Sequence, residues 1–163
     1  MNTDAILATL NKYQVDYILI GGMNYLIRHK PVLTFDTDVW VRNTGANLAL
    51  LNRALRDLKA QWGPDDEQWG PVRDDPQWLA SQSVFCLTTE HGPLDIFREV
   101  RGLEAQYDRC RQDAAAAKTA NGTSFLSLSD RDMLACQLAL PEGERKLDRT
   151  IHLQAILQSN PIS

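Results

Sequence analysis

The spacing of apolar positions changes period often along the chain and divides it into short elements. Over residues 3–14, Ile6, Leu7 and Leu10 recur at helical spacing behind Thr3 or Asp4, either of which can cap a first turn. The run Asp16-Tyr17-Ile18-Leu19-Ile20 reads as a β-strand that stops at Gly21-Gly22. The segment MNYLIRHK then predicts a short helix ending before Pro31, because a proline drives its predecessor out of helical geometry. A second strand is expected over 35–41, FDTDVWV. After Asn43, the stripe Leu48, Leu51, Leu55 and Leu58 marks the strongest helix, which runs out near Trp62-Gly63.

Residues 64–78 break this pattern. Three prolines, one glycine and five acids in PDDEQWGPVRDDPQW predict a surface loop with room for a hairpin. Two strands, 83–89 and 93–97, flank a turn at His91-Gly92. Residues 101–117 read as partly helical, and Asn121-Gly122 is a hairpin signal between two short runs. Ser129 or Asp130 caps a helix through Leu140, and a last helix runs over about 144–157. No repeat is present. The order helix, strand, helix, strand, helix, strands, helices predicts an α/β (α+β) chain around one mixed sheet. Its expected division is a core over 1–100 and a C-terminal hairpin and helical segment over 101–163, packed together as one compact domain.

Size and charge narrow the function. The 163 residues match one domain of about 150 residues, and 44% hydrophobic with 23% charged residues is the balance of a globular chain. Lys and Arg number 17 against 21 Asp and Glu, so the net charge of −4 excludes a protein that clamps long nucleic acid by bulk charge. The N-terminus carries Asp4 and no long apolar core, so no signal peptide is read there, and no apolar run approaches the roughly 20 residues of a membrane span. Cys86, Cys110 and Cys136 are odd in number and form no CxxC pair, which predicts no disulfides, no zinc knuckle and a reducing cytoplasm.

The chemistry gathers on three acids. Asp36 and Asp38 are two apart in a strand, so both project from one face, among the apolar or β-branched Phe35, Val39 and Val41. Two carboxylates near a core repel each other and resist desolvation, and a cation between them resolves both problems. Hard oxygen donors suit Mg²⁺ or Mn²⁺. Asp95, in GPLDIF, repeats the setting and can supply a third carboxylate, although a single aspartate also fits a strand end or turn. The Gly21-Gly22 pair follows a strand and precedes a helix, where backbone N–H groups can approach a phosphate, or where a plain tight turn can form. No Walker lysine and no GxGxxG follows it. Lys146 lies in a basic cluster with Arg145 and Arg149, a phosphate contact or else a solvated face beside Glu142 and Glu144. His29, His91 and His152 have no metal-ligand spacing. The four tryptophans could stack a base, although Trp40 fits the core better.

These residues carry a resemblance. YILIGGMNYLIRHKPVLTFDTDVWV resembles the signature of the DNA polymerase β-type nucleotidyltransferase superfamily: an apolar strand, Gly-Gly, about a dozen residues, then Asp-x-Asp in a second strand. HGPLDIF resembles that superfamily's third-carboxylate strand. FLSLSDRDMLACQLALPEGERKLDRTIHLQAIL is similar to the C-terminal segment of small prokaryotic nucleotidyltransferase-like proteins of minimal nucleotidyltransferase, antitoxin and abortive-infection systems. The likeness spans 17–157. It departs at Val32, where many relatives carry a basic residue, and at Gln137, where many carry Lys.

The resemblance implies a polymerase β-like core and two-metal transfer of a nucleoside monophosphate, with Mg²⁺ or Mn²⁺ held by Asp36, Asp38 and Asp95. Asp95 would also orient or deprotonate an acceptor hydroxyl. Gly21 and Gly22 would cradle the leaving phosphates, and Lys146 would reach the nucleotide. The implied partners are a nucleoside triphosphate, a protein or RNA hydroxyl as acceptor, and a cognate toxin or antitoxin. The alternative is a catalytically weak or inactive binding partner, of antitoxin or nucleotide-sensing type.

Overall fold

The computed structural model describes residues 1–160. Helix α1 (Thr3–Lys12) leads into β1 (Tyr17–Ile20), α2 (Gly21–Arg28), β2 (Thr37–Val41) and α3 (Gly45–Asp57). Two short strands, β3 (Gln61–Trp62) and β4 (Gly70–Pro71), and a 3₁₀ turn (Pro76–Ala80) precede the hairpin β5 (Val84–Thr89) and β6 (Gly92–Phe97). Then come α4 (Tyr107–Asp113), the hairpin β7 (Ala115–Lys118) and β8 (Ser124–Ser127), α5 (Asp130–Leu138) and α6 (Leu147–Ser159).

The strands form one sheet in the order β4-β3-β5-β6-β2-β1-β8-β7. Pairing is parallel between β2 and β6 and between β1 and β8, and antiparallel elsewhere, so the sheet is mixed as expected. Alternation along the central strands feeds two separate cores. Tyr17, Leu19, Val39, Val41, Leu94 and Ile96 face the layer that holds α1 and α3. Ile18, Ile20 and Trp40 face the opposite layer, with Met133 of α5 and Leu153 of α6. Asp38 and Asp95 keep step with Trp40 and Phe97, so their side chains leave the sheet on this second face.

Several ends differ from the sequence reading, each for a visible reason. Asn2, not Thr3 or Asp4, caps α1 by accepting from the Ala5 N–H at 3.0 Å. The acidic segment contains β4, which pairs antiparallel with β3 just ahead of the segment, and its Val72 is buried against the first core. Alanine-rich 115–118 is strand rather than helix, because the Asn121-Gly122 turn folds it back onto β8. The last helix starts at Leu147, since Arg145 reaches back to cap α5: its guanidinium donates to the carbonyls of Leu140 (3.0 Å) and Leu138 (3.1 Å). Ser129 caps α5 as foreseen, accepting from the Asp132 N–H.

One buried amide fixes α2 against the sheet. Asn24 is fully buried; its Nδ2 donates to the Leu128 carbonyl (3.1 Å), and its Oδ1 accepts from Ser127 Oγ (2.5 Å). Asn24→Ala strands both partners without water, so a loss of about 1–3 kcal/mol is expected in urea denaturation. A variant as stable as the parent would show that the bonds do not anchor the helix.

Candidate active site

The diglycine turn is where β1 ends and α2 begins. Gly21 has φ +70°, the left-handed region open to glycine, and a Cβ placed there would lie 2.1 Å from Asp38 Oδ2. Glycine is therefore needed twice, for the backbone and for the carboxylate pressed against it. A Cβ on Gly22 would meet Thr34 Oγ1 at 2.8 Å and Arg149 Nη2 at 3.1 Å. The turn thus sits under a side chain from the loop before β2 and another from α6.

The three acids converge. Asp36, Asp38 and Asp95 each offer a carboxylate oxygen, and the three atoms lie within 4.8 Å of one another. Register explains half of this: β2 pairs with β6 in parallel and sets Asp38 directly beside Asp95, while β1 sets Ile20, the residue before the glycines, beside Asp38. Asp36 falls one residue before β2 rather than inside it, yet its carboxylate joins the cluster.

Charge at this point is uncompensated. Burial, then the Asp36 and Asp95 charges, push the Asp38 carboxyl from an ordinary 3.8 up to about 7, against a smaller opposing pull from Arg149. Asp95 is raised too, by burial and by Asp36, with hydrogen bonds from Cys86 and Asp38 opposing. Cys86 faces Asp95 across the β5–β6 hairpin, and burial with the Asp95 charge lifts its thiol to about 11. Three close acids, two of them held above their normal range, could hold a cation between them. All three cysteines are free.

A cavity of about 190 Å³ opens from Asp38 and Gly21 beneath α5 and α6. Phe97, Val100, Met133 and Leu153 make it largely apolar, and Gln137 and Arg149 enter it as polar groups. A larger groove of about 890 Å³ along β7 and β8 is lined by none of the three aspartates.

The basic cluster read from the sequence divides into three roles. Arg145 is the cap of α5. The Lys146 backbone N–H donates to Gln137 Oε1 (2.8 Å) at the N-cap of α6, and Lys146 is exposed and does not line the cavity. Arg149, one turn further on, does. The histidines pack: His29 Nε2 is bound to Asp130 (2.7 Å), and His152 Nδ1 to the Tyr25 hydroxyl (2.5 Å). Trp40 is buried in the core, and Trp62 stacks on Trp78 with ring centroids 5.2 Å apart. Trp69 is exposed.

No protein-family model matches the sequence, and no curated protein matches it either. Solved structures do match over nearly the whole chain. The lincosamide antibiotic adenylyltransferase LnuA, in its lincomycin-bound crystal form, aligns with 96% of this chain and 98% of its own at 14% identity and a TM-score of 0.61. The antibiotic-resistance factor ANT(2'')-Ia aligns with 98% of this chain and 85% of its own (13% identity, TM-score 0.55). A Thermotoga maritima protein provisionally assigned as a nucleotidyltransferase aligns with 97% and 91% (13% identity, TM-score 0.52). At such identities the likeness establishes the fold: the chain has the polymerase β-like nucleotidyltransferase fold, as the motif resemblance implied. No helix among the described residues is long and apolar enough to cross a membrane.

Proposed function

We propose that the protein is a divalent-metal-dependent nucleotidyltransferase that moves a nucleoside monophosphate from a nucleoside triphosphate onto a hydroxyl. The observation that carries the reading is the meeting of three carboxylates, from β2, its leading residue and β6, beside a glycine turn at the start of a helix. The donor set fits Mg²⁺ or Mn²⁺: all oxygen, and short of positive charge. A bound cation would offset the negative charge that grows on the attacking and leaving oxygens.

The chain's own groups then have distinct tasks. Asp36 and Asp38 hold the cation site, and Gly21 and Gly22 leave room for the leaving phosphates to approach backbone N–H groups at the start of α2. Asp95 orients the acceptor hydroxyl and takes its proton as the hydroxyl oxygen bonds to the α-phosphorus. The bond from that phosphorus to the β-phosphate oxygen breaks, and pyrophosphate leaves.

The acceptor class rests on more distant likeness. The tail resembles minimal nucleotidyltransferase and antitoxin-type proteins, which supports a protein or RNA hydroxyl and a toxin–antitoxin or phage-defence setting in the cytoplasm. The adenylyltransferase neighbours extend the acceptors worth testing to antibiotic hydroxyls. A second reading, a nucleotide-binding module without turnover, draws on Gln137 standing where the resemblance expects Lys.

Labelled nucleoside triphosphates with Mg²⁺ or Mn²⁺ and each acceptor class separate the two. Transfer of label by the parent chain and its loss in Asp36→Asn, with the melting temperature kept, is the expected result. Stabilisation by metal-nucleotide without transfer supports the binding module; at about 100 times the dissociation constant it amounts to ~2.7 kcal/mol. Wild-type turnover in Asp36→Asn removes that residue's role.

A further inference from the structure

We infer that Arg149, not Lys146, is the residue that binds the polyphosphate, and that α6 thereby becomes a working wall of the site; this rests on the nucleotidyl-transfer reading above. The guanidinium enters the same cavity as Asp38 and Gly21, and its Nη2 lies 3.1 Å from the point where a Gly22 side chain would begin. It therefore lies against the first turn of α2, where leaving phosphates would be cradled.

What singles it out is the company it does not keep. Arg149 is near enough to the acid cluster to pull down the Asp38 carboxyl, yet it forms no ion pair with any acid among the described residues. Arg42 and Arg109, by contrast, each bind two aspartates. The Arg149 guanidinium rests instead over the Tyr25 ring, 5.6 Å from its centroid, and Tyr25 is itself fixed by the 2.5 Å bond to His152. An arginine placed merely to neutralise the aspartates would close onto them in a forked contact. This one is held back by an aromatic face, with its N–H groups uncommitted and facing the glycine turn.

The charge balance agrees. Once cations occupy the three carboxylates, that cluster no longer attracts a guanidinium, whereas a triphosphate brings about four further negative charges beside it. Arg149 offers five fixed N–H donors suited to phosphate oxygens. The geometry of Lys146 is the opposite: its backbone is tied to Gln137, and its ammonium lies in solvent outside the cavity. Arg101, which also lines the cavity, is exposed in the loop after β6.

The test uses the full chain, Mn²⁺ alone, and Mn²⁺ with inorganic tripolyphosphate, a probe that carries phosphate and no base. In the parent, Mn²⁺ binding is read by the loss of free-ion EPR signal, and tripolyphosphate binding by calorimetry. Arg149→Gln is expected to weaken tripolyphosphate by about tenfold or more while Mn²⁺ binding stays equal or tightens. Arg149→Lys should recover part of the loss, and Lys146→Gln should bind within about twofold of the parent. Circular dichroism and the Mn²⁺ titration confirm that each variant is folded. Arg149→Gln with parental tripolyphosphate affinity, or with Mn²⁺ and tripolyphosphate weakened together, overturns the assignment. A parent chain that binds neither probe overturns the nucleotidyl-transfer reading itself.

Discussion

Asp38→Asn is expected to abolish transfer and, in the same step, to make the metal-free protein more stable at pH 8. The two effects share a cause. Burial and the neighbouring Asp36 and Asp95 hold the Asp38 carboxyl at about 7, against 3.8 for an ordinary aspartate. A carboxyl whose folded value is raised keeps its proton in the native state after the unfolded chain has lost its own. The group therefore costs nothing below about pH 4, the penalty grows as pH climbs, and it is complete above about 7. Over that interval the ionised side chain opposes folding by on the order of 2–4 kcal/mol, at 1.36 kcal/mol per unit. Asparagine keeps the shape and removes the charge.

Urea denaturation at pH 5 and pH 8 without metal checks this. The parent should lose stability between the two pH values, and the Asn variant should lose less. Mg²⁺ should restore the parent at pH 8 and do little for the variant. Turnover should fall by about 10³-fold or more, the scale of removing one group that stabilises transition-state charge. An Asn variant less stable than the parent at pH 8, or one that still transfers, rejects the linked account.

Gly21→Ala is expected to damage the same place from the backbone side. The residue stands at φ +70°, where an L side chain costs about 1–2 kcal/mol, and its methyl would fall 2.1 Å from Asp38 Oδ2. Either the turn or the carboxylate must move. Because productive geometry tolerates only about half an ångström of error, activity should drop by about 10²-fold or more, well beyond what the stability loss explains. Steady-state kinetics beside a thermal melt separate the two quantities. Parental kinetics in the Ala variant would show that the turn does not set the position of Asp38.

How much of this was legible in the sequence depended on the range of the interaction. Asp36, Asp38 and the diglycine lie within the one β1–α2–β2 stretch, where local spacing fixes who meets whom. Asp95 is 57 residues beyond Asp38. Its setting between Leu94 and Ile96 marked it as a strand residue, but only the parallel β2–β6 register makes it a neighbour. The sequence reading placed Arg149 in the basic cluster but singled out Lys146, whereas Arg149 is the member that lines the cavity. In a run of three nearby cations, charge alone cannot say which one turns inward. The signal available was helical phase: Arg149 precedes the buried Leu153 by four residues, whereas Lys146 precedes the helix. The edges of α6 and the 115–118 strand were hidden for a related reason, since Arg145 capping α5 and the return of β7 onto β8 are tertiary events that override local propensity.

The place of β1 in the sheet sets a timetable for synthesis. Its four residues are all buried, with β2 on one flank and β8, which is made more than 80 residues later, on the other. While the ribosome is still translating the middle of the chain, that later flank has no partner, and the nascent protein carries a bare run of Tyr17, Ile18, Leu19 and Ile20. At about 5–20 residues per second the interval lasts several seconds, ample time for a chaperone or a second nascent copy to find it.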